Sequence, residues 1–229
     1  MEYEDKCDMW YAFINACVYH GGSPHVYVSY QNKKVQGYLR HNNSFLVLES
    51  NIPTDLGVAF RIPFSGLIAC NLTRSRPVFV RITTDRLYLS QRKDDFDYIC
   101  SLPIVRTPFP GPTVRPVVER RCPYAKVYQA AIDWIYKQVD SVCVHFDKTN
   151  ITLSGYRIGV EATTVSIRCD CRGTPFGAII PQGRANLAIR GLGGIKEGPF
   201  NIGYNKDQRL VVFERSASNL QLTYFIKEI

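Results

Sequence analysis

Four short groups of residues have the types and spacings that chemistry would need. Cys143 and His145 stand two apart, as do Cys169 and Cys171. On strands such pairs share a face, so two neighbouring strands could present four zinc ligands. The turn spacing usual in zinc sites is missing, and plain buried thiols account for Cys143 and Cys169, so no metal is expected. Asp94, Asp95 and Asp97 look like Mg²⁺ ligands, but they follow Gln91-Arg92-Lys93 and read as an exposed acidic turn. Gly191-Leu192-Gly193-Gly194 lacks the Lys-Ser/Thr that completes a phosphate-binding loop and precedes a strand, so a helix stop explains it. A nucleophilic Cys–His pair would need spatial proximity, and eight cysteines with four histidines produce such pairs by chance. The expectation is therefore no catalytic centre and no cofactor.

Composition points elsewhere. The chain has 229 residues, 45% of them hydrophobic and 21% charged, which is ordinary globular usage and excludes a disordered tail or a fibrous repeat. No apolar run reaches the roughly 18–20 residues of a membrane span, and Met1-Glu2-Tyr3-Glu4-Asp5 is acidic where a signal peptide would be basic. An intracellular, soluble protein is expected. The cysteines, at 7, 17, 70, 100, 122, 143, 169 and 171, are scattered and read as free, mostly buried thiols. The Asn-x-Ser/Thr triplets at Asn42, Asn71 and Asn150 carry no weight without secretion. The net charge of +8 favours an anionic partner, nucleic acid before lipid. Residues 1–102 hold 11 basic and 10 acidic side chains, residues 103–122 hold 4 and 1, and residues 123–229 hold 13 and 9.

Prolines 103, 108, 110, 112, 116 and 123, with Gly111 and four arginines, mark a linker without helical or strand periodicity. It divides the chain into residues 1–102, a connector at 103–122 and residues 123–229. The first part opens with a helix pattern over Asp5–Tyr19, with Met9, Trp10, Phe13, Cys17 and Val18 on one face. Strands are predicted at His25–Tyr30, Gln36–Leu39, Phe45–Glu49 and Val58–Ile62, then a short helix at Phe64–Thr73, then strands at Val78–Thr83, Arg86–Gln91 and Tyr98–Leu102. The second part opens with a helix at Tyr124–Val139 behind Pro123. Strands at Ser141–Phe146, Asn150–Tyr156, Glu161–Arg168 and Phe176–Ile179 follow, with a helix from Gln182 to about Arg190 and strands at Phe200–Tyr204, Arg209–Arg215 and Leu220–Ile226. Each half is thus helix, strands, short helix, strands: two copies of one α+β unit, alike in pattern and not in sequence.

This repeat, about 110 residues per unit with a proline-bearing connector, resembles the sliding clamps of DNA replication, of both the PCNA and the phage T4 type. The similarity is clearest where Tyr124-Ala-Lys-Val-Tyr-Gln-Ala-Ala-Ile-Asp-Trp-Ile leads into Asp140–Tyr156, and in the closing stretches Arg209–Arg215 and Asn219–Ile229. The resemblance implies two tandem clamp-like domains, with sheets outside and helices lining a ring around duplex DNA. It implies a homotrimer closed by pairing of edge strands, and no enzyme activity. The short, divergent chain suggests a viral or phage clamp, acting in the host cytoplasm or nucleus. A clamp-fold viral late transcription factor and a β-rich capsid or assembly protein are the alternatives.

A ring that slides needs Lys and Arg that neutralise phosphates without reading bases. Opposite the apolar stripe of the second long helix lie Lys126, Asp133 and Lys137. Lys6, Arg74, Arg76, Arg184 and Arg190 are further DNA-binding candidates, although the polar face of the first helix, with Asp5 and Asp8, is acidic. By the same resemblance the connector borders an apolar pocket for short motifs from a DNA polymerase and a clamp loader. Ile104, Val105, Phe109, Val117 and Val118 are the candidate wall, with Phe109 as its one aromatic anchor.

Overall fold

The computed structural model describes residues 2–5, 9–42, 44–53, 55–74, 76–111, 121–122, 141–146, 150–157, 160–168, 175–195, 198 and 200–229. Strand β1 (Glu2–Asp5) precedes helix α1 (Met9–His20), and four strands follow: β2 (His25–Gln31), β3 (Lys34–His41), β4 (Ser44–Asn51) and β5 (Val58–Pro63). Asn32 and Lys33 both have positive φ, 57° and 55°, the two-residue turn whose twist matches that of its flanking strands. The short helix α2 (Phe64–Ile68) leads to β6 (Val78–Ile82), β7 (Arg86–Lys93), β8 (Phe96–Pro103) and β9 (Val105–Arg106). The connector ends in β10 (Arg121–Cys122), and beyond it come β11 (Ser141–Phe146), β12 (Asn150–Arg157), β13 (Val160–Arg168) and β14 (Phe176–Pro181). Helix α3 (Gln182–Leu192) and strands β15 (Phe200–Asn205), β16 (Leu210–Ala217) and β17 (Leu220–Lys227) close the chain. No helix among the described residues is long and apolar enough to cross a membrane.

Three antiparallel sheets result among the described residues. Two have four strands, in the orders β1-β6-β7-β8 and β13-β12-β11-β14; the third has nine, in the order β10-β15-β16-β17-β4-β3-β2-β5-β9. The nine-stranded sheet is built from both sides of the connector, because β17 zips onto β4 with Leu222 opposite Leu48 and Tyr224 opposite Leu46.

Alternation along these strands sends one row of side chains toward the helices. Val26, Val28, Tyr30, Leu39, Leu46, Leu48, Phe60, Phe213 and Leu222 meet Trp10, Phe13 and Cys17 of α1 and Ala185, Ala188 and Leu192 of α3 in one continuous core. Two glycines mark where helix and sheet come closest. A Cβ on Gly37 would overlap the Phe13 ring, and one on Gly191 would overlap the Tyr224 hydroxyl. That hydroxyl, on a fully buried ring, donates to the Ala16 carbonyl at 2.7 Å and so ties β17 to α1.

Several expectations are corrected. The first helix begins at Met9, not Asp5, because residues 2–5 pair antiparallel with β6. Val18, placed on the apolar face by spacing, is 52% exposed, while Ala12, Ile14 and Ala16 are buried. Helix α1 is covered on two sides, by the sheet and by α3, so its apolar face is wider than one stripe. The helix after β5 stops at Ile68 rather than Thr73. Helix α3 runs through Gly191 to Leu192, so Gly191 serves close packing instead of stopping the helix. The connector region, expected to hold no strand, contributes β9, paired with β5, and β10, paired with β15. The predicted helix at 124–139 lies outside the described residues.

Candidate nucleic-acid and partner interfaces

The helix side of the nine-stranded sheet carries a basic corner that one buried amide positions. Gln91 on β7 is fully buried; its Nε2 donates to the carbonyls of Thr73 (2.8 Å) and Arg76 (3.1 Å), and its Oε1 accepts from the Thr73 N–H at 2.7 Å. These bonds hold Thr73 and Arg76 against β7 of the four-stranded sheet. Next to Thr73, the Arg74 guanidinium lies over the ring of Tyr11, 5.7 Å from its centroid. Arg215, in the inward row of β16 with Val211 and Phe213, lies close enough to feel that charge. Burial first, and then Arg74, lower its pKa from the usual arginine value. Tyr11 and Asn15 are half-buried on the α1 turns that look away from the sheet, with exposed Val18 one turn further on. That face of α1 therefore holds no charge, and cations reach it from neighbouring elements.

The other basic candidates divide. Arg190 is exposed on α3. Arg184 Nη1 donates to the His20 carbonyl at 3.3 Å, placing a cation at the C-terminal end of α1, where the helix dipole favours it. Arg76 faces the β7–β8 turn, bonded to Asp94 at 2.9 Å and to the Arg92 carbonyl at 3.1 Å. Lys6, Lys126, Asp133 and Lys137 lie outside the described residues. Arg215 was missed from sequence; its signal was a cation continuing the Val211, Phe213 alternation at the end of an otherwise apolar row.

The opposite face of the same sheet holds an aromatic island. Tyr38, Val47, Leu210, Val212 and Phe225 form a second cluster, with Tyr27, Phe45 and Phe109 packed on it and half-buried. Phe45 stacks on Phe225 with centroids 4.3 Å apart, and Phe109 meets Tyr38 edge-on at 6.2 Å. Burial raises the pKa of the Tyr38 phenol. Beside the island runs a row of amides and carboxylates. Gln36 donates to Glu49 at 2.6 Å, while Asn201 and Gln221 donate to the two oxygens of Glu214 at 2.7 and 2.5 Å.

The connector residues separate across the sheet. Phe109 joins the island, and Val105, 53% exposed and opposite Arg61 in the ladder, lies on the same outer face. Ile104, 6% exposed, belongs to the main core and so is not available as a wall of an outer groove. Val117 and Val118 lie outside the described residues.

The chemical groups fall as follows. Cys143 and His145 share one face of β11, half-buried and exposed, between buried Val142 and Val144. Cys169 and Cys171 lie outside the described residues, among which no group of three or more His, Cys, Asp or Glu side chains converges. Asp94 and Asp95 form the exposed β7–β8 turn.

Two strand edges complete the geometry. Strand β8 is paired on one side with β7 and β13 on one side with β12, and each ends its four-stranded sheet among the described residues.

No family model and no curated relative matches this sequence. Solved structures do. One from the PCNA2–PCNA3 complex of Sulfolobus tokodaii superposes with a TM-score of 0.79 at 8% identity, covering 100% of this chain and 99% of that one. Proliferating cellular nuclear antigen from Entamoeba histolytica gives 0.78 at 9% identity, covering 100% and 98%. A. fulgidus PCNA, in a structure with the bound C-terminal region of FEN-1, gives 0.77 at 9%, again covering 100% and 98%. With its antiparallel sheets, its few helices and full-length superposition on these structures, the chain has the α+β fold of the PCNA-like DNA sliding clamps.

Proposed function

We propose that this protein is a sliding clamp that encircles duplex DNA without reading its sequence, acts as a DNA-polymerase processivity factor and catalyses no reaction itself. The observation that carries the reading is the pair of one-sided edge strands, β8 and β13, on two different sheets of a full-length clamp fold. Two unlike edges on one chain join head to tail, and such a contact generates a ring when its rotation closes. Residues 1–102 and 123–229 then act as tandem domains bridged by 103–122, and three copies supply six domains. The helix side, with Arg74, Arg190 and Arg215, faces the DNA, and diffuse arginine–phosphate contacts there suit sliding.

The island around Phe109 and Phe225 is the surface for partner segments such as those of a polymerase or a clamp loader. The relative bound to the C-terminal region of FEN-1 supports a peptide-binding role for this fold. The low identity to these clamps, 8–9%, favours viral or phage replication, inside the infected cell.

Light scattering during size-exclusion chromatography tests the ring: the expected mass is about 78 kDa, three times the 26.1 kDa chain. A monomer at micromolar concentration sinks the closed-ring reading. A trimer that leaves polymerase run length on primed circular DNA unchanged removes the processivity role and leaves a clamp used elsewhere, as in late transcription.

A further inference from the structure

We propose that Cys70 and Cys100 form a dithiol site that hydrogen peroxide oxidises to a reversible disulfide. Cys70 comes just after Ala69, the C-cap of α2, and Cys100 lies in the inward row of β8, opposite Leu89 of β7. Their sulfurs are 2.7 Å apart, closer than the roughly 3.5–4 Å at which non-bonded heavy atoms rest. Forming the bond needs little side-chain motion.

The two thiols are unequal in ways that assign their roles. Cys70 is 5% exposed, whereas Cys100 is half-buried and so the more accessible of the two to a small oxidant. The Tyr98 hydroxyl accepts the Asn71 N–H at 2.8 Å and favours the thiolate form of Cys100. Lys93 lies 4.9 Å above the Tyr98 ring and donates to the Asn71 carbonyl at 3.2 Å, which brings a cation to the same corner. The contact with Cys70, aided by the Tyr98 hydroxyl, pulls the Cys100 thiol down to about 7 against the opposing effect of burial; the same contact pushes Cys70 up. Cys17, by contrast, is fully buried among apolar side chains that push its pKa far up, and it is an inert internal control.

The Cys100 thiolate attacks one peroxide oxygen. An S–O bond forms, the O–O bond breaks, and hydroxide leaves to take up a proton as water. The Cys70 thiol then gives up its proton and attacks the sulfenyl sulfur of Cys100; the S–S bond forms, the S–O bond breaks, and a second water departs. Two electrons pass from the dithiol to the peroxide. The bridge would tie the end of α2 to β8 across 30 positions of sequence, pinning an edge strand from its core side. Disulfide formation at this site needs neither ring assembly nor DNA.

The test uses the reduced full-length protein, treated with one equivalent of hydrogen peroxide, blocked with N-ethylmaleimide and digested with trypsin without reduction. Cys70 and Cys100 are the sole cysteines of tryptic peptides 62–74 and 94–106. The expected result is these two peptides linked as the main oxidised product, separated again by dithiothreitol, with Cys17 unoxidised. Cys70→Ser should leave a Cys100 sulfenic acid that dimedone traps, and Cys100→Ser should abolish both products. Should either variant misfold, the wild-type peptide map alone decides. Recovery of peptides 62–74 and 94–106 singly labelled with maleimide, or linked mainly to other cysteines, overturns the proposal.

Discussion

The two faces of the nine-stranded sheet follow different rules. On the helix side, Tyr30, Leu46, Phe60 and Leu222 are fully buried beneath α1 and α3, and glycines stand where a single Cβ would collide. On the other side, Phe225 and Val212 are buried, but Tyr27, Phe45 and Phe109 keep part of their rings in solvent, and Glu49 and Glu214 share a row with amides. The first face is filled by elements that the chain must place in order to fold. The second is capped, among the described residues, by Phe109 from a proline-rich connector. A substitution on the helix side should therefore act on stability, and one on the outer side should act on recognition.

The largest effect tests that division directly. Phe13 is 1% exposed and its ring fills the space above Gly37. Phe13→Ala should cost about 3–5 kcal/mol, the usual range for truncating a buried aromatic, and should show as a large fall in the urea midpoint. A loss below roughly 1 kcal/mol would mean that α1 is not locked against the sheet.

The buried histidine at the end of α1 sharpens the contrast. Burial lowers the pKa of His20 from 6.5 to about 4, with the charges of Arg184 and His41 acting in the same direction and the hydrogen bond to the Gly21 carbonyl opposing them. Because the folded value lies below the unfolded one, the unfolded chain takes up a proton that the native state refuses. The contribution is fully present above pH 6.5 and is lost as the pH falls from there toward 4, on the order of 3 kcal/mol in total. His20→Gln should flatten the stability–pH curve over that interval. An equally steep decline in the variant would assign the acid sensitivity to other groups.

Phe109 probes the outer face. Its ring is half-buried and packs edge-on against Tyr38. Phe109→Ala should leave oligomeric mass unchanged and melting nearly so, while weakening binding of a polymerase-derived peptide by about 1–2 kcal/mol. Calorimetry reads the second effect and a thermal melt the first. Global unfolding would make the outer island part of the folding core and erase the distinction between the faces.

The smallest effect concerns the basic corner. Arg74→Ser should weaken non-specific duplex binding a few-fold and reduce the slope of log affinity against log salt by about one, the signature of one lost phosphate contact. An unchanged slope would turn Arg74 into a purely structural partner of Tyr11.

Local pattern made the hairpins legible. The runs around Val28, Leu46, Leu89, Val144, Val212 and Leu222 alternate or carry β-branched residues, and turn residues such as Asn32 sit between them, so strands appear within a few residues of their predicted bounds. Phe109 stood out as a lone aromatic in a proline-rich segment because nothing local could bury it. What remained hidden depends on partners distant in sequence. Residues 2–5 become a strand only because β6 offers an edge, and Val18 turns outward only because α3 claims the other flank of α1. Ile104 and Val105 are adjacent and chemically alike, yet Ile104, bonded through its N–H to the Asp85 carbonyl, is buried in the core while Val105, opposite Arg61 of β5, is exposed. Pairing of β17 with β4, the approach of Arg215 to Arg74 and the contact of Cys70 with Cys100 join positions 30 to about 180 residues apart. Periodicity encodes which side of an element is apolar, but which element covers that side is decided by chain crossings, and these exist only in the folded molecule.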